Sequence, residues 1–167
     1  EYYWLNAEKN KKSILKYGGL KTVKDFNSKS ITSCQSEMIS MYSEIFSNLK
    51  PFYETEDFIV CHSGLSKKIL DEGKIENSNF NSFIFNRYDF IKSKSFYKTN
   101  KKIIFGHTAF FSPYTDKYKI GIDTGACYLK KQSLTAFCLE TKTFYSSNAE
   151  IYSIDEIRKD ICPVIIR

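Results

Sequence analysis

The chain has 167 residues, of which 42% are hydrophobic and 16% aromatic, and this is enough for one domain with its own core. Its formal net charge is +6, but the lysines occur in short pairs among Asn, Ser and Glu, a pattern typical of a solvated surface, so we expect no nucleic-acid partner. No apolar run is long enough to span a membrane and the first residues carry no secretory pattern, so we expect no membrane partner either.

The cysteine pattern indicates a reducing compartment. Five cysteines, an odd number without a C-x-x-C pair, are scattered along the chain: Cys34, Cys61, Cys127, Cys138 and Cys162. Such spacing is typical of free thiols, several of which serve as small core residues. We therefore expect a cytoplasmic protein.

Helical patterns dominate the first third of the chain. Residues 8–17 predict a helix that ends at the glycine pair Gly18 and Gly19. Residues 36–49 carry apolar side chains at spacings of three and four, which predicts an amphipathic helix that stops before Pro51. Residues further along are predicted mainly as strands.

Short apolar runs bounded by polar residues predict strands at 58–61 and 103–105. Three further strands are predicted at 119–123, 133–140 and 143–147, the last two forming a hairpin. The intervening segment at 81–91 is compatible with a helix or with an aromatic-rich loop, and the pattern alone does not decide between them.

The C-terminal residues 149–167 form an extension beyond this pattern. Ser153 is a predicted N-cap of a short helix, with Glu156 as its capping-box partner. The last residues are apolar, so the extension either packs back on the core or contacts a partner.

Both histidines of the chain directly follow predicted strands. His62 follows the strand at 58–61, and His107 follows the strand at 103–105 after one glycine. Loops that leave strand ends are rigidly placed, and imidazoles there can meet a divalent ion and a substrate. The alternative is two loop histidines satisfied by backbone hydrogen bonds, but two such similar contexts in one chain favour a metal site.

Several segments resemble motifs of one enzyme family. Residues 58–65 (FIVCHSGL) and 104–108 (IFGHT) are similar to the F-V-H-A-G-[IL] and V-F-G-H-T motifs of the phosphoprotein phosphatase branch of the metallophosphoesterases. Residues 84–87 (IFNR), 120–126 (IGIDTGA) and 133–137 (SLTAF) resemble its L-W-x-R, I-x-I-D-T-G-A and L-T-A-[LV] segments. The motifs occur in the order that the family has.

The resemblance implies an α/β fold, the C-terminal part of a four-layered α/β/β/α metallophosphoesterase sandwich, over residues 1–148. The family's upstream motifs G-D-x-H-G, G-D-x-x-D-R-G and G-N-H-[ED] do not occur in this sequence. We therefore expect the upstream half of the same domain to be a partner of this chain. Without it, the isolated chain is expected to be inactive or nearly so.

The resemblance also implies a metal site. In the family, the two histidines of these motifs bind the same ion, so His62 and His107 are the expected ligands of one of two divalent ions. Only part of one site is present in this chain. Neutral imidazoles suit Mn, Fe or Zn, and we expect Mn, with Fe or Zn as alternatives. Cys61 alternates to the other side of its strand and is expected to point away from the metal.

Three further residues are candidates for the same site. Arg87 is implied as a phosphate clamp, because a guanidinium fork matches two phosphate oxygens; its alternative is a surface arginine. Tyr128 either donates a hydrogen bond to phosphate or packs in the core. Asp123 invites a ligand interpretation, but we expect it to close a turn through Thr124 and Gly125.

The function implied is metal-dependent hydrolysis of phosphate esters by a serine/threonine phosphoprotein phosphatase-like enzyme. Its substrate would be a phosphorylated protein or a small phosphate ester. Two alternatives stay open: a symmetrical diadenosine tetraphosphatase-like nucleotide hydrolase on the same scaffold, and a catalytically inactive binding module.

Overall fold

The computed structural model describes residues 4, 6–16, 18–75, 78–94, 101–127, 129 and 132–157. The chain divides into two compact units, Glu1–Lys50 and Pro51–Arg167. The first unit is helical, and the second combines strands with short helices. The protein is therefore a mixed α/β protein, as the sequence predicts at this level.

Three helices form the described part of the first unit: α1 (Lys11–Lys16), α2 (Gly19–Asp25) and α3 (Ile31–Asn48). Gly18 separates the first two with a φ of 87°, a left-handed conformation that glycine adopts without steric cost. The predicted helix therefore ends at the glycine pair. The sequence does not predict α2, because its first residue, Gly19, belongs to the glycine pair that is predicted to end the preceding helix.

The helix α3 begins five residues before its predicted start at Ser36. Ser30 and Ser33 cap it reciprocally, each backbone N–H donating to the other hydroxyl at 3.0 Å. A serine here takes the position usually held by Glu or Gln, which explains the misplaced start. The apolar stripe of α3 is largely exposed: Met41 and Ile45 are 65% and 60% exposed.

Strands dominate the second unit. Its described residues form the strands β1 (Phe52–Glu54), β2 (Phe58–Cys61), β3 (Lys102–Phe105), β4 (Tyr114–Thr115), β5 (Lys119–Gly121), β6 (Thr135–Cys138), β7 (Thr143–Ser146) and β8 (Ile151–Ser153). They also form the helices α4 (Lys67–Glu72) and α5 (Tyr88–Lys92) and 3₁₀ turns at Phe80–Phe83 and Ile154–Glu156. The ambiguous segment at 81–91 is thus part 3₁₀ turn, part irregular and part α-helix.

Five strands form one mixed sheet in the order β1-β2-β3-β5-β4. The central strands β2, β3 and β5 are parallel, whereas β1 and β4 pair antiparallel at the edges. Ile104 pairs with Val60 on one side and with Ile120 on the other. The carboxyl ends of the three parallel strands therefore meet at one edge, which is where open parallel sheets bind ligands.

The remaining strands form an antiparallel sheet, β6-β7-β8. Cys138 pairs with Thr143 in the predicted hairpin. In the predicted C-terminal extension, β8 adds to this sheet and Ser153 and Glu156 form the predicted capping box. Ile157 is buried among apolar residues of both sheets, so the described part of the extension packs on the core; residues 158–167 lie outside the described residues.

Alternate residues of the parallel strands face two different cores. Odd-numbered residues face the short helices, in a cluster that includes Ile59 and Phe90. Even-numbered residues such as Phe58 and Ile104 face the antiparallel sheet, whose Phe144 lies in the same cluster. The second unit therefore stacks short helices, the mixed sheet and the antiparallel sheet.

The described cysteines are all free thiols: Cys34, Cys61, Cys127 and Cys138. Cys162 lies outside the described residues. Burial raises the pKa of the Cys61 thiol to about 12, and Cys61 lies in the core beneath the helices. Among the residues that the structure describes, no helix combines the length and apolar character needed to cross a membrane.

Candidate functional site

The two histidines lie at the carboxyl ends of neighbouring parallel strands. His62 follows β2, and His107 follows β3 after Gly106. The Gly106 N–H donates to the carbonyl oxygen of His62 at 2.8 Å, so strand pairing continues up to the first histidine. The Nε2 atom of His62 and the Nδ1 atom of His107 are 3.0 Å apart although 45 residues separate them in the chain. The structure therefore brings together the two histidines that the sequence analysis groups in one site.

The backbone at His107 makes a tight turn. Its φ is 66°, and the Thr108 N–H donates to the carbonyl oxygen of Gly106 at 2.7 Å, which is the hydrogen bond of a γ-turn. A γ-turn with positive φ is rare, and such strain costs about 1–3 kcal/mol. The turn redirects the chain at the strand end, so the imidazole lies against His62.

The separation of the two ring nitrogens fits two ligands of one ion. Nitrogens that each lie about 2.1 Å from an ion, at about 90° to one another, are about 3.0 Å apart. The same distance is also that of a hydrogen bond in which one neutral imidazole donates to the other, with the donor set by the tautomers. Both arrangements aim a ring nitrogen lone pair at the space between the histidines.

His107 is held in its neutral form. Burial first, and then electrostatic interactions with Arg87 and with His62, lower its pKa to about 4, while Asp123 acts in the opposite direction. The neutral imidazole is the form that ligates metals. His107 is therefore ready to act as a ligand at neutral pH without losing a proton first.

Arg87 lies beside the histidine pair. It immediately precedes α5, and its Nη1 atom donates to the carbonyl oxygen of His107 at 3.2 Å. The residue is exposed, so the guanidinium group reaches both the turn at His107 and the solvent. A planar fork with five N–H groups can hold this carbonyl with one of them and still bind phosphate oxygens with others.

Asn86 joins the loop after β2, which carries His62, to the loop before α5, which carries Arg87. Its side-chain amide donates to the carbonyl oxygens of Gly64 at 3.0 Å and Ser82 at 2.7 Å. Its backbone N–H donates to the hydroxyl of Ser63 at 2.9 Å, and that buried hydroxyl donates to the carbonyl oxygen of Phe83 at 2.8 Å. These hydrogen bonds join the loop after β2 to the loop before α5.

Lys119, the first residue of β5, fixes the far end of α5. Its side chain is 1% exposed, and its ammonium group donates to the carbonyl oxygens of Ile91 at 2.9 Å and of Ser93, and to the carboxylate of Asp116 at 3.2 Å. The last carbonyls of a helix have no partner within the helix, so the ammonium group supplies one. This anchor holds α5, and with it Arg87, against the sheet.

Of the two other candidates from the sequence, Asp123 and Tyr128, the structure describes only Asp123. Asp123 accepts a hydrogen bond from the Gly125 N–H at 2.9 Å, and Gly125 has a φ of 76°, so Asp123 closes the expected turn. Tyr128 lies outside the described residues. In the part of the chain that the structure describes, no group of three or more His, Cys, Asp and Glu side chains could hold a metal ion. The site consists of His62, His107 and the adjacent Arg87.

Sequence reasoning misses Ser63, Asn86 and Lys119. Ser63 and Asn86 meet across 23 residues in loops that have no periodic pattern. Lys119 does carry a signal, because a lysine inside an otherwise apolar strand must find partners if it is buried. The interpretation of the lysines as solvated surface is wrong for this residue.

No protein-family model matches the chain, and no curated protein is significantly similar to it.

Proposed function

We propose that this chain supplies part of the active site of a metal-dependent phosphoesterase of the serine/threonine phosphoprotein phosphatase-like kind. In it, His62 and His107 are two ligands of one divalent ion, and Arg87 binds the phosphate group. The observation that carries the proposal is the 3.0 Å separation of the two imidazole nitrogens at the ends of adjacent parallel strands. The proposed substrate is a phosphorylated protein or a small phosphate ester.

The layered second unit supports the proposed fold. Short helices pack on one side of the mixed sheet and the antiparallel sheet packs on the other, which agrees with three consecutive layers of an α/β/β/α sandwich. We propose that an upstream half of the same domain supplies the fourth layer. It would also supply the oxygen ligands that complete the site, because two imidazoles alone make an incomplete ligand set.

The residues of this chain have distinct roles in the proposed site. A divalent ion, Mn in our proposal with Fe or Zn compatible, would supply Lewis-acid stabilisation of a phosphoryl oxygen and acidify a water molecule. His107 offers a ring nitrogen that needs no deprotonation at neutral pH. Arg87 orients the phosphate with its planar guanidinium fork. The hydrogen bonds of Asn86 join the loop that carries His62 to the loop that carries Arg87.

Metal binding by the 167-residue chain tests the proposal. The ¹⁵N-labelled protein would be titrated with MnCl₂ near neutral pH, with paramagnetic broadening of NMR signals as the readout. We expect weak binding, because two neutral ligands hold the ion loosely, with broadening centred on residues around both histidines. His62→Ala and His107→Ala should each remove it.

The matched control is Glu140→Gln, which removes an exposed carboxylate in the turn between β6 and β7. It should leave the broadening around the histidines unchanged. Broadening that is equal in the native protein and in both histidine variants would overturn the metal assignment and favour a binding module without catalytic metal.

A further inference from the structure

A pocket of about 350 Å³ lies at the start of α5 and is lined by Lys67 and by residues 85–90. Two of its lining residues contact His107: the Phe85 ring is edge-on to the His107 ring, with centroids 6.4 Å apart, and Arg87 donates to the His107 carbonyl. A volume of this size accommodates a small organic group. The pocket therefore extends the proposed site on the side of Arg87.

The wall of the pocket nearest the histidines is aromatic and accessible. Phe85 is 52% exposed, whereas Phe83 and Phe90, on either side of it in the chain, are 0% and 2% exposed and belong to the core. A single exposed aromatic residue is ordinary on a protein surface. The informative feature is that the open ring of Phe85 shares a pocket with a guanidinium group.

The charges around the pocket suit an anion with an aromatic group. Lys67 and Arg87 are positive and Asp89 is negative, so the lining carries a net positive charge. Lys67 also pairs with Asp71 at 2.6 Å, so Arg87 is the main anion contact. The guanidinium fork binds phosphate and the neighbouring ring offers a stacking surface.

We propose that this pocket is a leaving-group subsite that selects aryl phosphates, monoesters whose aromatic ring is bonded directly to the phosphate oxygen; this inference rests on the proposed phosphoesterase function and narrows its substrate to aryl esters in place of the alkyl esters of phosphoserine and phosphothreonine. Phe85 and Arg87 line the same pocket and both contact His107, Phe85 through its ring and Arg87 through the His107 carbonyl, so one ligand could stack a ring on Phe85 and place its phosphate on Arg87. A phosphotyrosine side chain has this geometry. A nucleoside monophosphate interposes a sugar, and an alkyl phosphate has no ring to stack.

The test compares ligands that share the phosphate and differ in the attached group. The ¹⁵N-labelled 167-residue chain would be titrated with inorganic phosphate, phenyl phosphate, cyclohexyl phosphate and adenosine monophosphate, with NMR shifts at Arg87 and His107 as the readout. We expect phenyl phosphate to bind about 2- to 10-fold more tightly than cyclohexyl phosphate, from the additional interaction of paired aromatic rings.

Variants separate the subsite from the phosphate clamp. Phe85→Leu should lose the preference for phenyl phosphate while it keeps the affinity for inorganic phosphate. Phe111→Leu, at a residue that is 65% exposed and outside the pocket lining, should keep the preference. Arg87→Gln should weaken the binding of all four ligands.

The other possible results distinguish failure of the aryl subsite from failure of the proposed phosphate role of Arg87. If phenyl and cyclohexyl phosphate bind equally while inorganic phosphate binds at Arg87, the aryl subsite is wrong and the proposed function stands. The same holds if Phe85→Leu keeps the preference, or if adenosine monophosphate binds more tightly than phenyl phosphate. If none of the ligands shifts Arg87 or His107, the phosphate role of Arg87 is wrong, and the subsite with it.

Discussion

Phe90 packs on Gly64 so closely that a Cβ atom on the glycine would lie 2.2 Å from the Cε1 atom of the ring. The same ring lies edge-on to Phe105, the last residue of β3, with centroids 5.1 Å apart. The helix α5 is thereby pressed against the loop after His62 and against the strand that leads to His107. The position of Arg87 relative to both histidines depends on this contact.

Gly64→Ala is expected to be markedly more destabilising than Gly18→Ala. Both glycines have nearly the same positive φ, 86° and 87°, but Gly18 has nothing within 4 Å of its added Cβ position. Gly18→Ala should therefore cost only backbone strain, about 1 kcal/mol. Gly64→Ala should cost about 3 kcal/mol, because the Phe90 ring must also move. Urea unfolding, followed by NMR signals of the unit that contains each change, measures both costs, and equal costs would contradict the packing.

His107 should titrate well below an ordinary histidine. Its pKa in the folded protein is about 4, against about 6.5 in the unfolded chain. Between these values the folded state binds fewer protons, so the free energy of unfolding should fall as pH decreases through this window and be insensitive to this group above it. An NMR titration of the His107 ring protons measures the pKa, and Arg87→Gln should raise it. A pKa at or above the ordinary value would contradict the burial of this ring.

Lys119→Met should destabilise the protein by about 3 kcal/mol, because it leaves buried carbonyls and a carboxylate without their cation. The matched control is Lys101→Met, since the Lys101 ammonium group also binds a carboxylate and a carbonyl, those of Glu54 and Thr55, but is 20% exposed. It should cost about 1 kcal/mol or less. Backbone amide shifts of α5 should change in the first variant alone, and unchanged shifts there would refute the anchoring role.

Activity should depend unequally on the three site residues. With the proposed upstream half supplied, we expect hydrolysis of p-nitrophenyl phosphate with Mn. His62→Ala and His107→Ala should each lower kcat by about 100-fold or more, because each removes a metal ligand. Arg87→Ala should cause a smaller loss shared between KM and kcat, since a phosphate clamp contacts ground and transition states alike. Full activity in either histidine variant would remove the metal assignment.

The elements that sequence analysis locates correctly are those with a local pattern. The strands β2 and β3 are apolar runs with polar neighbours, and the hairpin of β6 and β7 consists of two runs rich in Thr and aromatic residues that are separated by a polar turn. The edge strands β1 (Phe52–Glu54) and β4 (Tyr114–Thr115) are too short to show any period. They form because the neighbouring strands β2 and β5 offer backbone partners, which no local window of sequence reveals.

The residues of the site likewise fall into those that a local sequence pattern locates and those that it does not. His62 and His107 can be located because each follows a strand, and parallel strands bring their ends together. The contacts that fix Arg87 are formed between distant, irregular segments: Ser63 meets Asn86 across 23 residues, and Lys119 meets Ile91 across 28. The resemblance to phosphatases, the metal and the substrate remain predictions.

At His107, the residue type that best fits the γ-turn differs from the residue type that supplies an imidazole. Glycine would adopt a φ of 66° at less cost than histidine, so the most stable sequence for this backbone does not have an imidazole here. Relief of that strain and presence of the proposed imidazole ligand are mutually exclusive at this residue. A substitution that relieves the strain of the turn is therefore expected to remove the proposed metal ligand as well, a trade-off confined to a single side chain.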